Sequence, residues 1–113
     1  MADINFIELP TQDLASSQHF FETVFGKQMT AYGASYACTT TGNIDLGLQA
    51  DQHESTNAVL VVFRVDDLDA TLSAVVAAGS TITKQIVSFP GGRRFHFLDP
   101  SNNQLAAMQV NKS

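Results

Sequence analysis

His96 is the first residue to weigh for chemistry. It lies in Arg-Arg-Phe-His-Phe-Leu, residues 93–98, where Phe95 and Phe97 alternate with Arg94, His96 and Leu98. A period of two sends the phenylalanines to one face of a sheet and the imidazole to the other. One face then packs a core, and the other becomes the wall of something that binds. An imidazole on such a wall can take or give a proton near neutral pH. Two carboxylates have comparable settings: Glu8 alternates with Ile7 and Leu9, and Asp45 leads the run Asp45-Leu46-Gly47-Leu48. Glu8 and His96 are the candidates for a general base. The other histidines, His19 and His53, fall on a helix surface and in a polar loop, where they and the nearby Glu22 and Glu54 read as solvated. Cys38 reads as a small strand residue.

These groups need strands to carry them, and the chain supplies strands in a pattern. Ile4 to Leu9 reads as a strand with Ile4, Phe6 and Glu8 on one side and Ile7 and Leu9 on the other, ended by Pro10. Asp13 is placed to cap a helix running to about Phe25, with Leu14, Phe21, Val24 and Phe25 on its apolar stripe, Phe20 at the edge, and Gly26 as its closing residue. Three short strands follow, at about 27–32, 35–40 and 43–49, turned by Gly33 and by Thr41-Gly42-Asn43. After the polar linker 51–57, Val59 to Val65 is a strand apolar enough to be covered on both faces. Asp66 or Asp67 caps a second helix carrying Leu68, Leu72, Val75 and Val76, which Gly79 closes. Ile82 to Val87 is the next strand, Pro90-Gly91-Gly92 a turn, and the His96 strand follows. Asp99-Pro100-Ser101-Asn102-Asn103 then turns the chain into a last strand, 104–109. Arg93 and Arg94, directly after the glycine turn, could meet an anion but read more readily as a solvated turn.

The order is strand, helix, three strands, twice over; Asp13-Leu14 and Asp67-Leu68 hold the same place in each half, about 54 residues apart. A βαβββ unit is too small to bury both faces of its sheet, so the bare faces must meet each other or a second chain and leave a cleft. The expected fold is α+β: two βαβββ modules in tandem, about 3–50 and 58–110, forming a curved mixed sheet around a cleft in a single domain.

Composition narrows the function classes. At 113 residues with 44% hydrophobic content, the chain can build a core without disulfides or metal staples. A net charge of −5 with scattered basic residues argues against nucleic acid. The lone Cys38 suits a reducing compartment, and no apolar run approaches the roughly 20 residues of a membrane span. With no basic-then-apolar leader after Met-Ala-Asp, the expectation is a soluble cytoplasmic protein.

The repeat, together with Val65-Asp66-Asp67-Leu68, Ala77-Ala78-Gly79, Pro90-Gly91-Gly92 and Phe97-Leu98-Asp99-Pro100, resembles the vicinal oxygen chelate superfamily of glyoxalase I, bleomycin-resistance proteins, fosfomycin-resistance enzymes and extradiol dioxygenases. Phe6-Ile7-Glu8-Leu9-Pro10 and Phe20-Phe21-Glu22-Thr23-Val24-Phe25-Gly26 are similar to a glyoxalase-related branch of it. The resemblance covers nearly the whole chain. It implies paired βαβββ modules, commonly a homodimer, with ligands in sheet-lined clefts. It also implies a divalent metal held by His and Glu from cleft-facing strands. The corresponding positions here carry Phe6, Leu60 and Ala106, with the remaining one on or near Asp45. Phenylalanine, leucine and alanine offer no donor, so no metal and no cofactor is expected.

Strand alternation assigns the cleft side to Phe6, Glu8, Asp45, Leu60, Val62, Arg64, His96, Gln104, Ala106 and Met108. That is an apolar floor with a few polar groups, suited to a planar or aromatic ligand whose polar end meets Glu8, Asp45 and His96. Plainer roles stand beside this one: Glu8 as a structural partner of Arg64, His96 on a backbone carbonyl, and Phe6, Leu60 and Met108 as dimer packing. Two functions follow. One is a binding protein of the bleomycin-resistance type that holds a small molecule without metal, as a homodimer. The other is an enzyme of the same superfamily, a lyase, isomerase or dioxygenase-like protein, metal-independent more readily than metal-dependent. An accessory dimerisation domain with its cleft filled by side chains is a third.

Overall fold

The computed structural model describes residues 2–111. Its elements run β1 (Asp3–Pro10), α1 (Leu14–Phe25), β2 (Thr30–Ala31), β3 (Tyr36–Cys38) and β4 (Asp45–Gln49), then β5 (Leu60–Arg64), α2 (Leu68–Ala77), β6 (Ile82–Phe89), β7 (Gly92–Leu98) and β8 (Gln104–Val110). The βαβββ order is written twice, and the fold is α+β. Two compact units divide the chain, Phe6–Leu60 and the remainder.

In the first unit β1 pairs in parallel with β4, β4 antiparallel with β3, and β3 antiparallel with β2. Helix α1 starts where Asp13 accepts the Ser16 N–H at 3.1 Å, satisfying a donor the helix cannot use internally. It stops at Gly26, whose φ of 65° is open to glycine at little steric cost, and the Gly26 N–H returns to Glu22 O at 3.1 Å. The apolar stripe expected on α1 is only partly covered. Leu14 and Phe21 are half-buried, whereas Phe20, Val24 and Phe25 are exposed. The helix rests on β3 and β4, two short strands that reach only one side of it. Phe20 is packed edge-on against Phe21 instead, with ring centroids 5.3 Å apart.

Strands β2, β3 and β4 are shorter than the sequence suggested. Gly33, at a φ of 81°, turns the chain between the first two. Between β3 and β4, residues 40–44 form a turn drawn in by side chains rather than by ladder bonds. Thr39 Oγ1 donates to Asp45 Oδ1 at 2.8 Å, the Gly42 N–H to the same oxygen at 3.0 Å, and the Leu46 N–H to Thr39 Oγ1 at 3.0 Å.

The second unit repeats the ladder: β5 parallel with β8, β8 antiparallel with β7, β7 antiparallel with β6. Asp67, not Asp66, caps α2, accepting the Ala70 N–H at 3.0 Å. The Leu68 N–H reaches across to Gln109 Oε1 at 2.8 Å and ties the helix start to β8. The helix ends at Ala78, one residue before Gly79 turns left-handed. Val65, Leu68, Phe95 and Ala107 form the core, flanked by Leu72, Val75, Ile82, Ile86 and Phe97. Phe95 and Phe97 therefore face the core as the alternation required. Strand β6 continues to Phe89 and carries register shifts between Ile82 and Lys84 and between Lys84 and Val87. Arg93 and Arg94 belong to β7 rather than to a solvated turn, and Arg93 pairs with Asp69 of α2 at 3.1 Å. Among the described residues, no helix is long and apolar enough to cross a membrane.

Candidate functional site

The first unit's half of the predicted site lies on one face of its ladder. Register places Phe6 beside Asp45, and Glu8 beside Gly47, which also neighbours Cys38; Tyr36 is beside Gln49. All share a face by the period-two rule, opposite Ile7, Ala37, Leu46 and Leu48. Gly47 is what lets this face pack. A Cβ there would come within 2.5 Å of Phe6 Cζ and 2.6 Å of Tyr36 Oη, so the phenyl ring and the phenol tip occupy the space a side chain would take. Glu8 is only 2% exposed. Leu60, at the unit's end, is fully buried.

Asp45 also holds a turn. Its Oδ1 is engaged by Thr39 and Gly42, so this oxygen holds the β3–β4 turn. Its charge also reaches Cys38. Burial, and after it the negative Asp45, push the thiol's pKa above its ordinary value. A thiol held protonated in this way is a poor nucleophile.

The second unit's half lies on the face of β5, β8, β7 and β6 that is turned away from α2. Two contacts fix that orientation: Arg93 and Gln109, on the other face, bind Asp69 and the start of α2. Val62, Ala106, His96 and Lys84 form one lateral row, and Arg64, Met108, Arg94 and Val87 the next. Val62, Ala106 and His96 are at most 1% exposed, while Met108 is half-buried and Arg64 exposed. His96 Nδ1 lies 3.1 Å from Gln104 Nε2. An amide NH₂ can only donate, so Nδ1 accepts, and the proton of a neutral ring then sits on Nε2. Gln104 is half-buried, with Thr83 Oγ1 a further 3.5 Å neighbour of the same nitrogen. His96 is thus oriented by the Gln104 side chain.

Every predicted residue is accounted for in one unit or the other: Phe6, Glu8, Asp45 and Leu60 in the first, Val62, Arg64, His96, Gln104, Ala106 and Met108 in the second. Sequence reasoning left out Tyr36, Lys84 and Arg94. Arg94 was legible as the residue two before His96, hence on its face. Lys84 was not, because simple alternation groups it with the core residue Ile82, and only the register shift brings it beside His96.

The donor set does not fit a divalent ion. Phe6, Leu60 and Ala106 have no donor atom to give, and Asp45 Oδ1 is already shared by two hydrogen bonds. Among the described residues, no group of three His, Cys, Asp or Glu could hold a metal. A separate polar groove of about 630 Å³ lies in the first unit, lined by Pro10, Thr11 and Gln12 and by Ala50, Gln52 and residues 55–57. Its lining carries no charged side chain and no histidine, so it offers neutral hydrogen bonds only.

With this geometry in view, comparison with known proteins is informative. A family model described as the Glyoxalase/Bleomycin resistance protein/Dioxygenase superfamily matches residues 3–107. The anthracycline biosynthesis protein DauV of Streptomyces sp. (strain C5) is 26% identical over 116 residues, which cover 97% of this chain and 42% of that protein. The chain thus spans less than half the length of this curated relative. An NAD-dependent benzaldehyde dehydrogenase structure from Legionella pneumophila superposes with a TM-score of 0.76 at 18% identity, covering 95% of this chain and 99% of the other. Methylmalonyl-CoA epimerase from Mycobacterium tuberculosis superposes at 0.70 with 12% identity, covering 96% and 88%. These two likenesses speak to the fold. The family match spans nearly the whole duplicated βαβββ pattern, and the chain belongs to the glyoxalase/bleomycin resistance protein/dioxygenase superfamily.

Proposed function

We propose that this chain is a small-molecule binding protein of the glyoxalase/bleomycin-resistance type, holding an apolar or aromatic ligand in a sheet-lined cleft without a metal. One observation carries the reading: the strand positions where the superfamily resemblance calls for metal donors hold Phe6, Leu60 and Ala106. With no donor at these three positions the strands hold no ion, and a ligand's carbon skeleton would meet the half-buried Phe6 and Met108 rather than the buried Leu60 and Ala106. Phe6 and Tyr36 supply rings at Gly47, and Met108 supplies an adaptable thioether. The two modules act as one domain, and the chain pairs as a homodimer in a reducing cytoplasm.

Titration calorimetry with planar aromatic ligands, run with and without EDTA, tests the proposal. Equal binding in both conditions is the expected result, and binding that disappears with chelator overturns it.

A second reading, a metal-independent isomerase or lyase, draws on His96. A buried imidazole whose Nδ1 is engaged by Gln104 presents one tautomer, which is how a general base is pre-set. His96→Gln and Glu8→Gln separate the readings. Loss of turnover with binding retained identifies the enzyme, and binding lost with no turnover ever detected identifies the binder.

A further inference from the structure

The groove at the carboxyl ends of β1 and β4 is built from residues that the strand faces do not use. It holds about 630 Å³, within the roughly 300–1,000 Å³ usual for small-molecule pockets. Both of its walls belong to the first unit, residues 10–12 on one side and the loop after β4 on the other. Hydrogen bonds within the protein fix its shape. The Thr11 N–H donates to Gln49 O at 2.9 Å and joins the two walls at their base. Thr11 Oγ1 lies 2.6 Å from Ser17 Oγ, which ties the first wall to α1. In the loop wall the Ser55 N–H donates to Asp51 O at 2.9 Å and Thr56 Oγ1 to Ala58 O at 2.7 Å.

The side chains that line these walls are of one chemical kind. Gln12, Gln52 and Asn57 are exposed carboxamides and Ser55 is a half-buried hydroxyl; among the described residues none of the four side chains has a protein partner. Each can both donate and accept. No aromatic ring and no charge belongs to the lining. The charges adjoining it in sequence, Asp13 and Asp51, are both negative, and each gives an oxygen to a backbone N–H, of Ser16 at 3.1 Å and of His53 at 2.8 Å.

From this we infer that the groove is a second binding site, separate from the sheet-lined cleft, for a neutral polyhydroxylated molecule such as a saccharide. Sugar hydroxyls donate and accept at once, as carboxamides do. An aromatic ligand finds no ring to stack on here, and an anion finds no cation and two carboxylates nearby.

The test titrates maltose, methyl β-D-glucoside and methyl β-D-glucuronide into the whole isotope-labelled chain and follows the backbone amide shifts by NMR. Maltose is expected to give saturable shifts, with a Kd of about 1–10 mM, confined to residues 10–12 and 50–57. The glucuronide, which differs from the glucoside by a carboxylate, is expected to bind at least about threefold more weakly. Gln12→Ala and Asn57→Ala should each weaken maltose by about two- to tenfold, as loss of a neutral hydrogen bond does, with circular dichroism confirming that each variant is folded. Gln85→Ala, an exposed carboxamide on β6 of the second unit, should change nothing. Shifts that do not saturate, or that spread beyond the groove, overturn the site. Equal affinity for glucoside and glucuronide, or full affinity for maltose in both groove variants, overturns the assignment of a neutral polyol. None of these results bears on the cleft, whose aromatic-ligand reading stands or falls by its own titration.

Discussion

Gly47→Ala is the perturbation that most directly examines how the first unit's face is built. A methyl group at this position meets Phe6 Cζ at 2.5 Å, Tyr36 Oη at 2.6 Å and Phe6 Cε2 at 2.8 Å. Ordinary carbon contacts begin near 3.5 Å, so the ring and the phenol must each retreat by roughly an ångström. Both are the far ends of side chains, and they can swing. But Gly47 is buried and its flanks are fixed by ladder pairing to Glu8 and Cys38. Overpacking of this kind costs about 1–3 kcal/mol. Against it stands a gain of about 0.5–1 kcal/mol from replacing a strand glycine by alanine. The expected net loss is therefore about 1 kcal/mol, which for a chain of 113 residues lowers Tm by about 4 °C. Thermal and urea unfolding followed by circular dichroism measure it. The decisive form is a double-mutant cycle with Phe6→Leu, whose shorter side chain vacates the clash. A coupling of about 1 kcal/mol is expected between two residues in such contact. If Gly47→Ala is as stable as the parent, or if the two losses simply add, the face is not packed around the missing Cβ and the account of Phe6 and Tyr36 fails.

Phe95→Ala should cost about 3–5 kcal/mol, because a fully buried ring at the centre of the second unit's core leaves a cavity; urea midpoints measure the loss, and under about 1 kcal/mol would place Phe95 outside the core. Cys38 should alkylate slowly with iodoacetamide at neutral pH, with its rate rising only above the ordinary thiol value of 9.0. Asp45→Asn keeps an acceptor for Thr39 but removes the charge, so it should move that profile down only slightly, burial being the larger cause. Asp99 is held below the ordinary carboxylate value of 3.8, first by the Asn103 side chain and then by backbone donors. Because its folded value is the lower one, its contribution is present above pH 3.8 and is lost as pH falls through the folded value. The melting-temperature gap between the parent and Asp99→Asn should therefore close below that pH; a gap that persists at pH 2 contradicts the hydrogen-bonded turn.

Much of the fold was legible because its signals are local and repeated. Asp13 and Asp67 cap their helices, Gly26 closes the first in a left-handed conformation, and Asn102 takes the positive φ that the Asp99 turn requires. The alternation around His96 fixed which phenylalanines face the core. The misreadings have non-local causes. Thr39 looked like a strand residue by type, yet it lies past the end of β3, where its hydroxyl and the Asp45 carboxylate at the start of β4 hold a turn. Helix α1 shows an apolar stripe in sequence, but how much of it is covered depends on the width of the sheet beneath, which no pattern within the helix records.

Arg93 and Arg94 show where such reading stops. The two are identical in type and adjacent, and both follow a glycine turn, so residue type alone gives them the same solvated role. The strand's period of two separates them: Arg93 goes to the α2 side and finds Asp69, and Arg94 goes to the side of His96 and Met108. Parity is enough for Arg94 because the β7–β8 ladder is unbroken from Gly92 to Leu98. It fails for Lys84, since the β6–β7 ladder shifts twice between Ile82 and Val87. A register shift costs a strand only local pairing, yet it changes which face a charge occupies. Which side chains share this face with His96 thus depends on one alternation that sequence displays and one irregularity that only the paired strands reveal.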